Sequence, residues 1–173
     1  MPPEALAAGR RRQAPRPRSV LAVDVGRRRI GLAGCDPLGL TVSPLPALAR
    51  GRFAVDLTRL QPLIATRRVE ALVVGLPLDS AGQPTEQCRH CRRYGEQLAK
   101  ATGLPLAWVN EHGSSWSAAE RHGLHGDRSG ALDSAAAQLL LEQWLQEGPE
   151  PAMQAPVERA TIARGAESQV APS

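Results

Sequence analysis

The sequence has 173 residues, with 21 Lys and Arg against 17 Asp and Glu, which gives a formal net charge of +4. This length suffices for one domain with a sizeable core, and a hydrophobic content of 42% excludes a wholly disordered chain. No apolar run reaches the roughly 18–20 residues that span a bilayer, and the N-terminus lacks the apolar segment of a secretory signal. Three cysteines are an odd number, which argues against a full disulfide framework. We therefore expect a soluble, cytoplasmic protein without a membrane partner.

The positive charge is concentrated at the N-terminus. Residues 1–19 contain five arginines and one acidic residue, Glu4, among many prolines. This composition predicts a disordered basic arm over 1–19, a folded domain over 20–147, and a disordered Pro- and Ala-rich tail over 148–173. The arm could add sequence-independent affinity for phosphate backbones, or it could be a solvated extension without such a role.

The first part of the domain predicts three consecutive strands. Apolar and β-branched runs, punctuated by glycines, are typical of buried strands joined by tight turns. Pro44 and Pro46 place the third strand at a sheet edge, because proline cannot complete a hydrogen-bonded ladder. The predicted strands are Val20–Val25, Ile30–Cys35 and Leu40–Leu48.

The rest of the domain alternates between helical spacing and apolar strand runs. Such alternation favours parallel crossovers, whereas three consecutive strands favour an antiparallel meander. Together they predict an α/β fold with a mixed five-stranded sheet flanked by helices. The predicted elements are a helix over Phe53–Thr66 with a kink at Pro62, a strand over Val69–Leu76, a helix over Thr85–Thr102, a strand over Pro105–Val109, and helices over Ser114–His122 and Ala131–Leu145.

Three acidic residues lie at the ends of predicted elements. Asp24 is in an otherwise apolar strand, Glu111 follows a strand, and Asp133 begins the last helix. If they converge, their oxygens form a site suited to Mg²⁺ or Mn²⁺, and such ions can promote phosphodiester hydrolysis. Each acid also has an ordinary structural interpretation, as a turn former or a helix cap.

Several short motifs occur in order and with regular spacing across residues 20–147. The motifs are Val23-Asp24-Val25-Gly26, Arg29-Ile30-Gly31-Leu32-Ala33, Val73-Val74-Gly75-Leu76-Pro77, Asn110-Glu111-His112 and Leu132-Asp133-Ser134-Ala135-Ala136-Ala137. Together they resemble the YqgF/RuvX family, whose members are described as pre-16S rRNA nucleases and as Holliday junction resolvases. The resemblance implies an RNase H-like fold, a nuclease with Mg²⁺ or Mn²⁺ as cofactor, and a nucleic acid partner, most simply pre-rRNA.

The resemblance also implies roles for individual residues. Asp24, Glu111 and Asp133 would be the catalytic, metal-binding acids, and Gly75 would shape a loop beside them unless it only ends a strand. Further residues would contact nucleic acid, although those after Asp24 could equally form a solvated turn and the two serines could cap a helix. These candidate contacts are Arg27, Arg28, Arg29, Ser114, Ser115 and Arg128.

The sequence departs from the family pattern at two places beside Glu111. The family usually has Asp-Glu-Arg where this chain has Asn110, Glu111 and His112, so one carboxylate and one guanidinium are absent. These departures leave open a non-catalytic RNA-binding assembly factor, besides a pre-16S rRNA nuclease and a Holliday junction resolvase. A nucleotide-binding ATPase is a weaker alternative, because such proteins clamp nucleotide between two domains of this kind.

Cys88 and Cys91 are spaced as in a zinc or redox motif. A zinc site needs about four ligands, and the sequence has no second Cys-x-x-Cys pair. Both cysteines fall within a predicted helix, three residues apart and therefore on one face. We expect them, and Cys35, to be core residues.

Overall fold

The computed structural model describes residues 14–111 and 130–155. Within these ranges the chain forms five strands and three helices in the order β-β-β-α-β-α-β-α. The elements are β1 (Val20–Val25), β2 (Arg29–Cys35), β3 (Val42–Ala49), α1 (Phe53–Thr66), β4 (Ala71–Pro77), α2 (Glu86–Thr102), β5 (Leu106–Glu111) and α3 (Ala131–Glu147).

The strands form one mixed sheet with the order β3-β2-β1-β4-β5. The first three strands pair antiparallel, as short turns between consecutive strands require, and β1, β4 and β5 pair parallel. The sheet and its flanking helices confirm the predicted α/β architecture. β3 lies at an edge, as Pro44 and Pro46 predict.

Each face of the sheet packs against different helices, because successive side chains of a strand point to opposite faces. Leu21 and Val23 of β1 lie in the cluster that includes α1 and α2 residues. Val20 and Ala22 of the same strand lie in the cluster that includes Leu141 and other residues of α3. The face of the sheet that packs against α3 is called the α3 face below.

Helix α2 has well-defined ends. Thr85 caps its N-terminus, where the side-chain oxygen accepts a hydrogen bond from the backbone N–H of Cys88 at 3.1 Å. Gly103 ends it in the left-handed conformation at φ 69°. Helix α1 continues through Pro62 to Thr66. None of the helices in the described ranges has the length and apolarity required to span a bilayer.

The strand bounds differ from the prediction in one respect that matters for the site. Glu111 was expected to follow the strand ending at Val109, but β5 continues through Asn110 and Glu111. The prediction was wrong because it ended the strand where apolar residues give way to polar ones. The backbone ladder continues regardless of side-chain polarity, with Asn110 opposite Leu76 and Glu111 opposite Pro77. The helix predicted over Ser114–His122 lies outside the described residues.

Residues adjoining the two ends of the domain contact each other. Glu150 accepts hydrogen bonds from the backbone N–H of Arg16 and the guanidinium of Arg18, and it forms an ion pair with Arg18. Ala152 pairs with Leu106 through two backbone hydrogen bonds of 2.9 and 3.0 Å. Residues 148–155 therefore cover the start of β5. The proposed domain limits at 19/20 and 147/148 stay a prediction.

One charged side chain, Asp56 of α1, is fully buried. Its carboxylate accepts hydrogen bonds from the backbone N–H of Gly51 at 2.9 Å and from the hydroxyl of Tyr94 at 3.0 Å. Burial, and then the negative charge of Asp56, raise the pKa of Tyr94 well above its usual value. These bonds hold the loop before α1 against α2.

Tyr94 is the sole tyrosine of the chain, so its ionisation can be followed directly. We expect native protein to show no tyrosinate absorbance near pH 10, where a free tyrosine is about half ionised. Tyrosinate should form only at higher pH, because ionisation in the folded state would place two negative charges in contact. In denaturant the same titration should have a midpoint of about 10. A native midpoint equal to the denatured one would contradict this contact.

Candidate active site

Asp24, Glu111 and Asp133 meet on the α3 face of the sheet. Asp24 lies two residues after Ala22 in β1, and Glu111 lies two residues after Val109 in β5. The side chains of each pair therefore point to the same face of the sheet. Ala22 and Val109 both lie in the α3 cluster. Asp133, in the first turn of α3, stands above this face. Residues far apart in the sequence are thus brought together at one end of the sheet.

The carboxyl groups of Asp24 and Glu111 are hydrogen-bonded to each other. Burial, then the charge and hydrogen bond of Glu111, then the charge of Asp133 raise the pKa of Asp24 well above its usual value. Burial also raises the pKa of Glu111, although its hydrogen bond with Asp24 acts in the opposite direction. In the absence of a cation, burial and the neighbouring acids therefore disfavour the ionised form of Asp24.

Asp133 differs from the other two acids because it faces a positive charge. The guanidinium Nη1 of Arg29 lies 3.9 Å from Oδ2 of Asp133, and both side chains are about one-third exposed, at 32% and 28%. Burial raises the pKa of Asp133, and the charge of Arg29 opposes that rise. Arg29, predicted to contact nucleic acid, thus also stands beside a predicted metal-binding acid.

The start of α3 is held close to the sheet by two features. The hydroxyl of Ser134, a buried residue, donates a hydrogen bond to the backbone oxygen of Leu45 in β3 at 2.6 Å. Gly31 of β2, which pairs with Asp24, leaves the space that the backbone of Asp133 enters. A Cβ at position 31 would lie only 3.1 Å from the Cα of Asp133 and closer still to its carbonyl group. A side chain there would push the helix away.

Gly75 of β4 makes room for Glu111 in the same way. A Cβ at position 75 would lie 2.8 Å from the Cδ of Glu111 and closer still to Oε1. Gly75 lies within β4, as the strand predicted over Val69–Leu76 implies, and it neither ends the strand nor shapes the loop that follows it. The strand continues through the glycine because its backbone pairs with Val109 of β5. The sequence feature that could have indicated a close approach to Gly75 is a glycine inside a continuous apolar strand run.

These residues fit a divalent cation by their chemistry. All three side chains offer carboxylate oxygens, the ligands that Mg²⁺ and Mn²⁺ prefer. Asp24 is a half-buried acid whose ionisation Glu111 and Asp133 oppose, and a cation would remove that cost. As placed, the His, Cys, Asp and Glu side chains of residues 14–111 and 130–155 form no ready-made cage of three ligands. The carboxylates would therefore have to reorient around an ion.

Comparison with known proteins now identifies the family. Residues 18–147 match the family RuvX, described as Holliday junction resolvase. The chain belongs to the RuvX family. Membership in this nuclease family, with the observed strand order, gives the chain an RNase H-like fold.

Two cyanobacterial relatives are similar over most of their length. A protein of Synechococcus sp. (strain CC9902) is 73% identical over 131 residues, which are 76% of this chain and 80% of that protein. A protein of Parasynechococcus marenigrum (strain WH8102) is 71% identical over 136 residues, which are 79% of this chain and 87% of that protein. Both are named, provisionally, as pre-16S rRNA nucleases.

Among solved structures, RuvC of T. thermophilus in complex with a Holliday junction substrate is similar to this chain. The TM-score is 0.49 and the sequence identity 16%, over 73% of this chain and 93% of the RuvC chain.

Asn110, Glu111 and His112 stand where the RuvX family usually has Asp-Glu-Arg. The direction of the side chain in β5 shows whether the change at position 110 affects the three acids. Asn110 lies two residues after Trp108, so both side chains point to the same face of the sheet. The ring of Trp108 lies under Arg92 of α2, on the face opposite the α3 face. An acid at position 110 would therefore point away from Asp24. The change to asparagine leaves the trio intact.

Several predicted contacts lie beside the site or outside the described residues. Arg27 and Arg28 occupy the turn after Asp24, in which the N–H of Gly26 donates to the backbone oxygen of Arg29 at 2.9 Å. Both arginine side chains are exposed. Their contact with nucleic acid stays a prediction. The residues Ser114, Ser115 and Arg128, with His112, lie outside the described residues.

The cysteines are free and buried, as expected of core residues. The thiol of Cys91 donates a hydrogen bond to the backbone oxygen of Val25 at 3.4 Å. Burial, and then the charges of Asp24 and Glu111, raise the pKa of Cys91 to about 12. Such a thiol is protonated and unreactive at neutral pH.

Replacing Asp24 by Asn should stabilise the metal-free protein. Folding raises the pKa of the Asp24 carboxyl group. Its contribution to the stability of the folded protein is therefore fully present below the unfolded pKa of about 3.9 and is lost as the pH rises above that value. At pH 7 in EDTA we expect Asp24→Asn to raise Tm by about 2–4 °C, the shift that about 1 kcal/mol produces. The difference should vanish at pH 3, where the acid is protonated in both states. An unchanged or lower Tm at pH 7 would contradict the interaction of Asp24 with Glu111.

Replacing Gly75 by Ala should displace Glu111. We expect Mn²⁺ affinity, measured by calorimetry, to fall by at least about tenfold, as when a group that orients a ligand is removed. Gly51→Ala is the matched control, because a Cβ there would meet its nearest neighbour at an ordinary 3.5 Å. Equal Mn²⁺ affinity in the two variants would show that Gly75 does not position Glu111.

Proposed function

We propose that this protein is a metal-dependent endonuclease that cleaves a phosphodiester bond in processing the 5′ end of pre-16S rRNA during ribosome biogenesis. The observation that carries this proposal is the hydrogen-bonded pair of Asp24 and Glu111, with the charge of Asp133 acting on it. Membership of the RuvX family and the names of the cyanobacterial relatives support a nuclease and this substrate.

Asp24, Glu111 and Asp133 would hold Mg²⁺ or Mn²⁺. When bound, such ions lower the pKa of a water molecule and stabilise the leaving oxygen of a phosphodiester. Both carboxyl groups would have to be deprotonated to serve as ligands, and the raised pKa of each makes this deprotonation harder in the absence of an ion. The requirement for deprotonated acids predicts weaker metal binding, and slower cleavage, as the pH is lowered.

The surrounding arginines would attract and orient the substrate. Arg29, 3.9 Å from Asp133, places a positive charge beside the acids, where the scissile phosphate would lie. Arg27 and Arg28 extend this charge into solvent, and a positive surface next to a carboxylate pocket raises the local concentration of a polyanion. Phosphate contacts of this type position a strand without reading its sequence.

Holliday junction cleavage is the second candidate, and the description of the RuvX family favours it. Both reactions hydrolyse a phosphodiester, so the acids would act alike in each. The substrates differ in shape: one is single- or double-stranded RNA, and the other is a four-way DNA junction. A comparison of the two substrates under the same conditions therefore separates these functions.

The test is cleavage of a labelled RNA spanning the 5′ end of 16S rRNA, with Mn²⁺, beside a four-way DNA junction. We expect the wild-type protein to cleave the RNA, and Asp24→Asn and Glu111→Gln each to reduce the rate by at least about 100-fold, since ligands of the ion are lost. Asn110→Asp is the matched control, because it alters charge next to Glu111 on the opposite face of the sheet.

Different results would point to the other functions. Preferential cleavage of the junction would support a resolvase. Binding of the RNA by the wild-type protein without any cleavage would contradict the enzyme and support a non-catalytic assembly factor.

A further inference from the structure

A second charged region lies on the side of Asp24 remote from α3. It is a groove of about 570 Å³ between the turn after β1, the loop after β3 and the first turns of α2. Its lining residues are Arg27, Arg50, Glu86, Gln87 and His90. None of these except Arg27 was singled out from the sequence, because they come from three separate segments.

Arg50 is held in a fixed position within this groove. Its guanidinium Nη1 donates a hydrogen bond to the backbone oxygen of Gly26 at 2.8 Å. The same guanidinium lies over the ring of Tyr94, with 5.2 Å between its Cζ and the ring centroid. Tyr94 is in turn fixed by its hydrogen bond to the buried Asp56. Arg50 is half-buried, whereas most charged side chains at a protein surface are free to move.

The groove is joined directly to the strand that carries Asp24. The side-chain amide of Gln87 donates a hydrogen bond to the backbone oxygen of Val25 at 3.1 Å. Arg50 binds the next residue, Gly26. The groove therefore begins one to two residues after Asp24, and a nucleic acid strand that crosses the acids would reach it by passing around the carboxyl end of β1.

The charge of the groove favours an anion. Arg27 and Arg50 contribute two positive charges, and Glu86 contributes one negative charge at the rim. Partial burial, followed by the charges of Arg50, Arg93 and Arg27, lowers the pKa of His90, so these three arginines act together at this position. His90 and Gln87 add neutral hydrogen-bonding groups. An arginine fork with such neighbours suits a phosphate oxygen pair.

We propose that this groove binds a backbone phosphate of the RNA strand next to the scissile one, with Arg50 and Arg27 as positioning residues. The proposal rests on the proposed function for its choice of RNA. It extends that function by assigning Arg50, Gln87 and His90 to the nucleic acid interface. The rigid support of Arg50 means that little conformational freedom is lost when the phosphate binds.

The test measures RNA affinity in EDTA, so that it does not depend on cleavage. Fluorescence anisotropy with a labelled single-stranded RNA from the 5′ leader of 16S rRNA would be recorded at several salt concentrations for wild type, Arg50→Gln and Arg27→Gln. We expect Kd to rise about five- to tenfold in each variant at low salt. The slope of log affinity against log salt should fall by about 0.7, the value for one lost phosphate contact on a single strand.

Arg52→Gln is the matched control. Arg52 is exposed, lies two residues from Arg50 and is outside the groove, so the variant removes the same charge from the same loop. It should leave the salt slope unchanged. Arg27→Gln keeps the proposal testable if the loss of Arg50 weakens the contact with Tyr94, because Arg27 is exposed.

The outcomes separate this proposal from the proposed function. If wild type binds and cleaves RNA while all three variants have the wild-type salt slope, the groove is not a phosphate site and the nuclease function stands. If Arg50→Gln and Arg27→Gln lose affinity as expected but wild type cleaves nothing, the groove is supported and the nuclease function fails. If wild type binds no RNA, both are overturned.

Discussion

The site depends on keeping like charges close together inside the protein. Asp24 and Glu111 are in hydrogen-bonded contact, and the charge of Asp133 adds to the cost of ionising Asp24. In a folded protein this arrangement is unfavourable unless a proton or a cation compensates it. Since the rest of the sheet is a well-packed apolar structure, the cost is confined to one end, where it creates affinity for positive charge.

The fold brings the acids together through strand alternation, strand register and two glycines. Strand alternation places Asp24 and Glu111 on the α3 face, and parallel pairing through β4 brings the two strands into register. Gly31 and Gly75, lying on either side of Asp24 in the sheet, leave the space that Asp133 and Glu111 occupy. On the opposite face, α2 covers the core and lines the groove with Arg50, so acidic and basic residues lie at the same end of the sheet on its two faces.

Much of the fold could be predicted from the sequence, because apolar runs such as Val20–Val25 and helical spacing such as that over Thr85–Thr102 report local structure. The family resemblance indicated the three acids. The contacts that bring Gly75 against Glu111, or Arg50 against Gly26 and Tyr94, could not be predicted, because they join segments distant in the sequence. The end of β5 was misjudged because side-chain polarity does not report backbone pairing.

The most direct test of the central claim is a crystal structure of the protein soaked in Mn²⁺, with anomalous diffraction to locate the ions. We expect at least one anomalous peak within about 2.0–2.5 Å of carboxylate oxygens from Asp24, Glu111 and Asp133. A fully soaked crystal without density among these side chains, or with Mn²⁺ bound only elsewhere, would contradict it.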